Sequence, residues 1–438
     1  MDLFEAFKAF PEVAKPIIVK SDVIRLGLKF SERARKKFSE LNDVTYKGYQ
    51  FFSYDRDEVS TYGSKLPVCL YLEDGTPDGT VIQVRPHQKA PYMVDLEDGI
   101  FTLYWNKESL GTVKYDKKPQ YYERSINGIH MPAICHAQCD FLFVAANKHC
   151  DLFSIDKPCM FCDITPFSHT QKKSGQDMIL RKNAELTGEV LKVALNERRF
   201  RHILISGGMF LRSYQRLSQV EWYAQFLETI RKKIGCWRIT SLQVAALEDE
   251  DWKRLHETGV PFIQPNIEVW DKRLFEIICQ GKDAVVGYDE WIKRVIRAVD
   301  FWGPGNVNPN FVCGVEMAKP FGFKDVDEAI ESTASGYDYL MRNGVLPRQG
   351  NFWCVEPDSK LGGAEPPPLE YYIKLGKRYL EIREKNRFMT CSPQGCRFCQ
   401  FHGTEYDFEY WHGNGPTSKK AEKQDLVVNL SEVDSKMD

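Results

Sequence analysis

Residues 141–163 read FLFVAANKHCDLFSIDKPCMFCD. The apolar run Phe141–Ala145 has the length and composition of a buried strand, and it leads directly into a loop carrying Cys150, Cys159 and Cys162. Five more strand candidates follow: His202–Ser206, Ile239–Ala246, Phe262–Val269, Asn310–Glu316 and Asn351–Glu356. Helical patterns separate them. Val220, Tyr223, Phe226, Leu227, Ile230 and Ile234 share one helix face, as do Trp291, Ile292, Val295, Ile296 and Val299, and then Val326, Ile330, Thr333, Tyr337 and Leu340. Strands that alternate with helices predict an α/β fold with a parallel sheet. Six strands suit an open, partial (β/α)6 barrel of the TIM type, with ligands at the strands' carboxyl ends.

Four regions are expected along the 438 residues. Residues 1–130 read as a β-rich domain after one N-terminal helix, because GTPDGT and the Asp98–Gly99 pair sit between apolar runs and signal hairpins. Residues 131–365 form the barrel. Residues 366–415 hold a helix begun by prolines and a Cys-rich extension, and 416–438 read as a polar tail. Lysine plus arginine total 59 against 61 acidic residues, a net charge of −2, so no global charge draws the chain to nucleic acid or an anionic membrane. No apolar run is long enough to cross a bilayer, and the first residues lack the order of a secretory signal, so a cytoplasmic setting is expected. In such a reducing compartment the 13 cysteines point to metal binding or catalysis rather than disulfides.

Cys150, Cys159 and Cys162 are spaced Cys-x8-Cys-x2-Cys. Three thiolates from one loop can hold three corners of a cubane cluster and leave one iron open to a small molecule. Structural zinc wants four closed ligands, which His149, Cys139 or Cys135 would have to complete, and a ferredoxin-like carrier wants four cysteines per cluster. Cys391, Cys396 and Cys399 make a second set, Cys-x4-Cys-x2-Cys. It suits an auxiliary iron–sulfur cluster with His402 or Cys354 as a fourth ligand, or a zinc site with His402. Cys69, Cys236, Cys279 and Cys313 read as small core residues.

The first set resembles the signature of the radical S-adenosylmethionine (SAM) superfamily, which has an aromatic residue before its last cysteine, as Phe161 stands here; the eight-residue spacer is longer than the usual three. Cys139 is the fallback first ligand. Further likenesses follow in order. Gly207–Gly208 resembles the family's Gly-Gly-Glu segment, with Met209 in place of the Glu. Asn266 and Glu268, two apart and so expected on one strand face, resemble the Asn-Leu-Asp strand of biotin synthase. Gly314 and Glu316 resemble the strand near adenine, Gln243 points to the same mouth, and Lys282 reads as a solvated loop lysine able to pair with the SAM carboxylate. The resemblance covers roughly residues 135–360. It implies a radical SAM barrel with a [4Fe-4S] cluster, SAM, an electron donor such as flavodoxin or ferredoxin, and a small-molecule or peptidyl substrate.

Overall fold

The computed structural model describes residues 1–45, 66–76, 79–173, 179–197, 200–390, 401–415 and 417–419. The fold is mixed α/β around a curled half-barrel sheet. Four parallel strands pair in chain order: Phe141–Asn147, His202–Gly207, Ile239–Gln243 and Phe262–Gln264. Bridges from Ile263 to Val307 and from Glu268 to Phe311 continue the succession into Asn310–Cys313, which pairs in parallel with Arg348–Phe352. A short antiparallel strand, His136–Gln138, closes the first edge.

Side chains alternate between the two faces of these strands. Leu142, Val144, Ile203, Ile205, Leu242 and Ile263 turn outward into the main core with helices Ala184–Glu197 and Gln219–Ile234. Phe141 and Leu204 turn inward, where they meet Val68 and Val81 of the N-terminal region and Phe401. The second helix begins at Ser218, whose hydroxyl accepts from the Glu221 N–H, and stops at Gly235 in the positive-φ region.

Several strands stop earlier than the apolar runs suggest. Pro265 has no N–H to extend the fourth strand, which ends at Gln264 rather than Val269. The third ends at Gln243 rather than Ala246. Gly314, at φ +104°, turns the fifth into a short 3-10 helix, Val315–Met317. The last is Arg348–Phe352, displaced toward the N-terminus from the expected Asn351–Glu356.

The N-terminal region opens with three helices, Leu3–Ala9, Lys15–Leu26 and Glu32–Leu41, where one was expected. Pro11 ends the first, and Pro16 sits in the first turn of the second, where its missing N–H does no harm. A six-stranded sheet follows. Its hairpin Tyr92–Glu97/Ile100–Trp105 turns through Asp98 and Gly99, both with positive φ, as the Asp-Gly pair predicts. No helix among the described residues is long and apolar enough to cross a membrane.

Candidate functional site

The loop that follows the first barrel strand is tied down before any ligand is considered. Asn147 Nδ2 donates to the carbonyls of His149, at 2.5 Å, and Gly208, at 3.0 Å. The Asp151 N–H donates to the Met209 carbonyl, and Asp151 Oδ2 accepts from the Leu211 N–H at 2.9 Å. The Cys150 N–H donates to Thr165 Oγ1 at 3.1 Å. Gly208 makes this seam possible. A Cβ there would stand 2.3 Å from the His149 carbonyl oxygen and 2.7 Å from Cys150 Cβ. Gly207 is equally enclosed, by the Tyr223 hydroxyl and Asn147 backbone. The space of the missing Cβ at Gly208 is thus filled by the thiol loop itself. Gly281 does the same on the other side, against the Lys157 carbonyl and Leu152.

Cys150 and Cys159 are buried and Cys162 half-buried. The three lie close enough to sense each other's charge. Burial pushes the Cys150 thiol up to about 11, and burial with the charges of Cys159, Asp163 and Cys150 pushes Cys162 well above the ordinary range. Cys159 goes the other way. A hydrogen bond from Cys279 lowers it against burial, and Lys282 helps. The sulfurs of Cys150, Cys159 and Cys162 are not all within 4.8 Å of one another. Tetrahedral zinc with bonds of about 2.3 Å needs sulfurs about 3.8 Å apart, so this is a wider set than one ion calls for. Phe161 packs half-buried between the last two cysteines against the main core.

Lys282 is no solvated loop lysine. It sits on the helix Gln280–Val285, 2.6 Å from Glu268 Oε1, with both side chains close to nine-tenths buried. Its ammonium also donates to the Asn266 carbonyl at 2.9 Å and lies 4.8 Å from the Trp291 ring centroid. Burial works against its charge, but the Glu268 carboxylate and the thiols of Cys159 and Cys279 outweigh it and raise its pKa. Asn266 Oδ1 accepts from the Asn310 N–H. Glu268 does not share a strand face with Asn266, because the strand has ended and Glu268 stands at φ +75°. The structure thus brings Cys159, Cys279, Lys282 and Glu268 together.

A second row crosses the ends of the second, third and fourth strands. Ser206 Oγ donates to Gln243 Oε1 at 2.5 Å, and Gln243 Nε2 donates to Gln264 Oε1 at 3.1 Å. Gln264 is fully buried and its Nε2 has no partner. Glu316 is not available in the same way: its carboxylate accepts from the Gly314 N–H and Thr333 Oγ1, both at 2.8 Å, and from the Tyr371 hydroxyl. It braces the turn after the fifth strand.

Cys139 lies at the other end of the first strand from Cys150, with the seven strand residues Phe141–Asn147, at about 3.3 Å each, between them. His149 Nε2 lies 3.2 Å from Asp151 Oδ1. Cys391, Cys396 and Cys399 lie outside the described residues, while His402 Nδ1 is 3.4 Å from Gln83 Nε2 and Cys354 is buried. Gln264 escaped the sequence reading, which took Cys279 only as a small core residue. Neither carries a spacing signal, since both reach the site from distant strands and helices.

No protein-family model matches the chain, and no curated protein matches it. Among solved structures it is similar to methylornithine synthase, with 13% identity, a TM-score of 0.38, and coverage of 54% of this chain and 62% of that one. It is also similar to the coproporphyrinogen III oxidase of Escherichia coli, described as a radical SAM enzyme, with 11% identity, a TM-score of 0.36, and coverage of 62% and 58%. The match spans less than two-thirds of either protein, and at those scores it carries no argument about the reaction.

Proposed function

We propose that this chain is a radical SAM enzyme. The observation that carries the reading is the donor set: three thiols on one loop at the carboxyl end of the first parallel strand, two of them buried and the third half-buried. Cys150, Cys159 and Cys162 would hold a [4Fe-4S] cluster, which together with SAM supplies a 5′-deoxyadenosyl radical able to abstract hydrogen from an unactivated carbon.

The chain's own residues bind, orient and shield. Gly207, Gly208 and Gly281 let the loop sit flush against its neighbours, so the thiols are held by packing on two sides. Cys159, held low by Cys279 and Lys282, is the thiol most ready to ligate as thiolate. The Ser206–Gln243–Gln264 chain fixes the amide of Gln264, whose unpartnered Nε2 donates to an oxygen of the bound nucleotide or substrate. Lys282, anchored by Glu268, presents a positive charge beside the loop for a carboxylate. The buried inner wall keeps water from a reactive radical. The substrate is a small molecule or a peptidyl group, and the outcome is sulfur insertion, rearrangement or carbon–carbon bond formation. A flavodoxin or ferredoxin supplies the electron, and Cys391, Cys396 and Cys399 hold an auxiliary cluster.

The test is anaerobic purification with iron and sulfide counts, followed by dithionite reduction in the presence of SAM and detection of 5′-deoxyadenosine. Cys159→Ala should lose about four irons per chain and all SAM cleavage. Cys396→Ala should spare cleavage. A Cys159→Ala chain that keeps both iron and cleavage sinks the ligand assignment, and wild-type protein that holds iron but never yields 5′-deoxyadenosine sinks the enzyme.

A further inference from the structure

Two cysteines and a carboxylate meet where the N-terminal sheet touches the barrel. Cys69 opens the strand Cys69–Leu72, whose register pairs Leu70 with Tyr115, so the next residue outward, Asp116, falls beside Cys69. Cys139 arrives from a different part of the chain, the tight hairpin between His136–Gln138 and Phe141–Asn147. Its Sγ lies 3.3 Å from Cys69 Sγ, and Cys69 Sγ lies 3.8 Å from Asp116 Oδ2. Among the described residues, this is the one set of three metal-ligating groups whose donor atoms all fall within 4.8 Å of one another. Both cysteines are buried, and Asp116 is half-buried.

We infer that Cys69, Cys139 and Asp116 bind a thiophilic divalent cation, zinc above all, which pins the N-terminal sheet to the hairpin leading into the first barrel strand. Two thiolates and a carboxylate are zinc's ordinary donors, and a tetrahedral ion needs sulfurs about 3.8 Å apart, so the observed pair has only to open slightly. A disulfide instead needs its sulfurs at about 2.05 Å. Asp116 Oδ2 also accepts from the Tyr71 hydroxyl at 2.5 Å, which holds the carboxylate in place beside the thiols. Cys139 also stands at φ +51° as the first residue of its two-residue turn, where glycine is the relaxed choice, yet the position carries a thiol. Zinc binds thiolates, so uptake of the ion releases thiol protons and affinity rises with pH. The site is separate from the Cys150 loop, at the opposite end of the first strand, and stands whether or not SAM is cleaved.

Zinc content after gel filtration, read on the full chain purified with reducing agent, tests the site. The zinc X-ray absorption of wild-type protein should show two sulfurs and lighter atoms. Cys69→Ser and Cys139→Gly should each lower retained zinc at least tenfold; the glycine also relaxes the turn, so this variant separates a lost ligand from a lost fold. Cys159→Ala and Cys396→Ala should retain it. Three sulfurs in the zinc shell overturns the proposal. So does zinc that survives in Cys139→Gly, a wild-type chain that retains no zinc, or a Cys69–Cys139 disulfide in the non-reduced peptide map.

Discussion

At single positions, the site depends on what is missing as much as on what is present. Gly208 is the clearest case, because its absent Cβ is replaced by the His149 carbonyl and the Cys150 side chain. Gly208→Ala meets backbone and the Cys150 Cβ rather than a flexible side-chain tip, so the thiol loop itself must move. Overpacking of this kind costs about 1–3 kcal/mol. The variant should melt lower than wild type and hold less iron after anaerobic reconstitution; an unchanged iron count with an unchanged melting temperature would show that the seam between the two loops does not matter. The sequence singles out Gly208 through its likeness to the Gly-Gly-Glu segment, and not through its contact with the thiol loop. Its spacing to other motifs was readable, but the identity of the atom filling the space depends on a loop folding back over it. Lys282 and Cys279 were less legible still. A lysine in CQGKD looks solvated until Glu268, fourteen residues earlier, is seen 2.6 Å away.

Among the elements, apolar runs located the strands and failed at their ends. A run of buried residues continues past the last ladder hydrogen bond, so composition cannot mark where pairing stops; Pro265 and Gly314 are local signals, and Pro265 overrides the period-two argument for Glu268. The helices were more legible, since Gln219–Ile234 and Val326–Arg342 carry both a long apolar face and a side-chain cap. The second barrel strand also holds a titration device the run does not advertise. His202 is fully buried with its ring 2.9 Å from Ser241 Oγ, and burial together with Arg348 lowers its pKa to about 3. The ring is therefore neutral in the fold, whereas an unfolded chain's histidine takes up a proton near pH 6.5. Stability from this group is complete above pH 6.5 and declines as pH falls from there toward about 3, at roughly 1.4 kcal/mol per pH unit. Denaturant unfolding at pH 6.5 and 5.0 should show His202→Gln losing about 2 kcal/mol less than wild type over that interval. Parallel losses in the two proteins would remove His202 as the cause.

For the whole molecule, the question is whether the N-terminal sheet and the half-barrel unfold together. The helix Leu369–Lys385 has a face in each core: Leu369, Ile373 and Leu380 join the N-terminal cluster, while Tyr371, Leu375, Tyr379 and Ile382 join the barrel's. No sequence pattern distinguishes a helix buried on two sides by two different bodies from one buried in a single core, which is why this joint was not legible. Two buried ion pairs reinforce it. Lys20, on an N-terminal helix, lies 2.5 Å from Asp407, and Arg383 lies 2.6 Å from Glu409, with almost no exposure of any of the four side chains. Burying such charges is expensive, and the attraction only offsets the lost hydration, so the pair acts more as a lock of position than as a source of stability. Lys20→Met leaves the Asp407 carboxylate buried without its cation and should cost about 3–5 kcal/mol in urea unfolding. Lys20→Met/Asp407→Leu, with neither partner of that pair left charged, should recover most of that loss. Because the two cores share a helix, wild-type protein should unfold in one transition by both tryptophan fluorescence and circular dichroism. Two separated transitions, or a double variant as weak as Lys20→Met alone, would mean that the chain's ends dock on the barrel without being part of its cooperative unit.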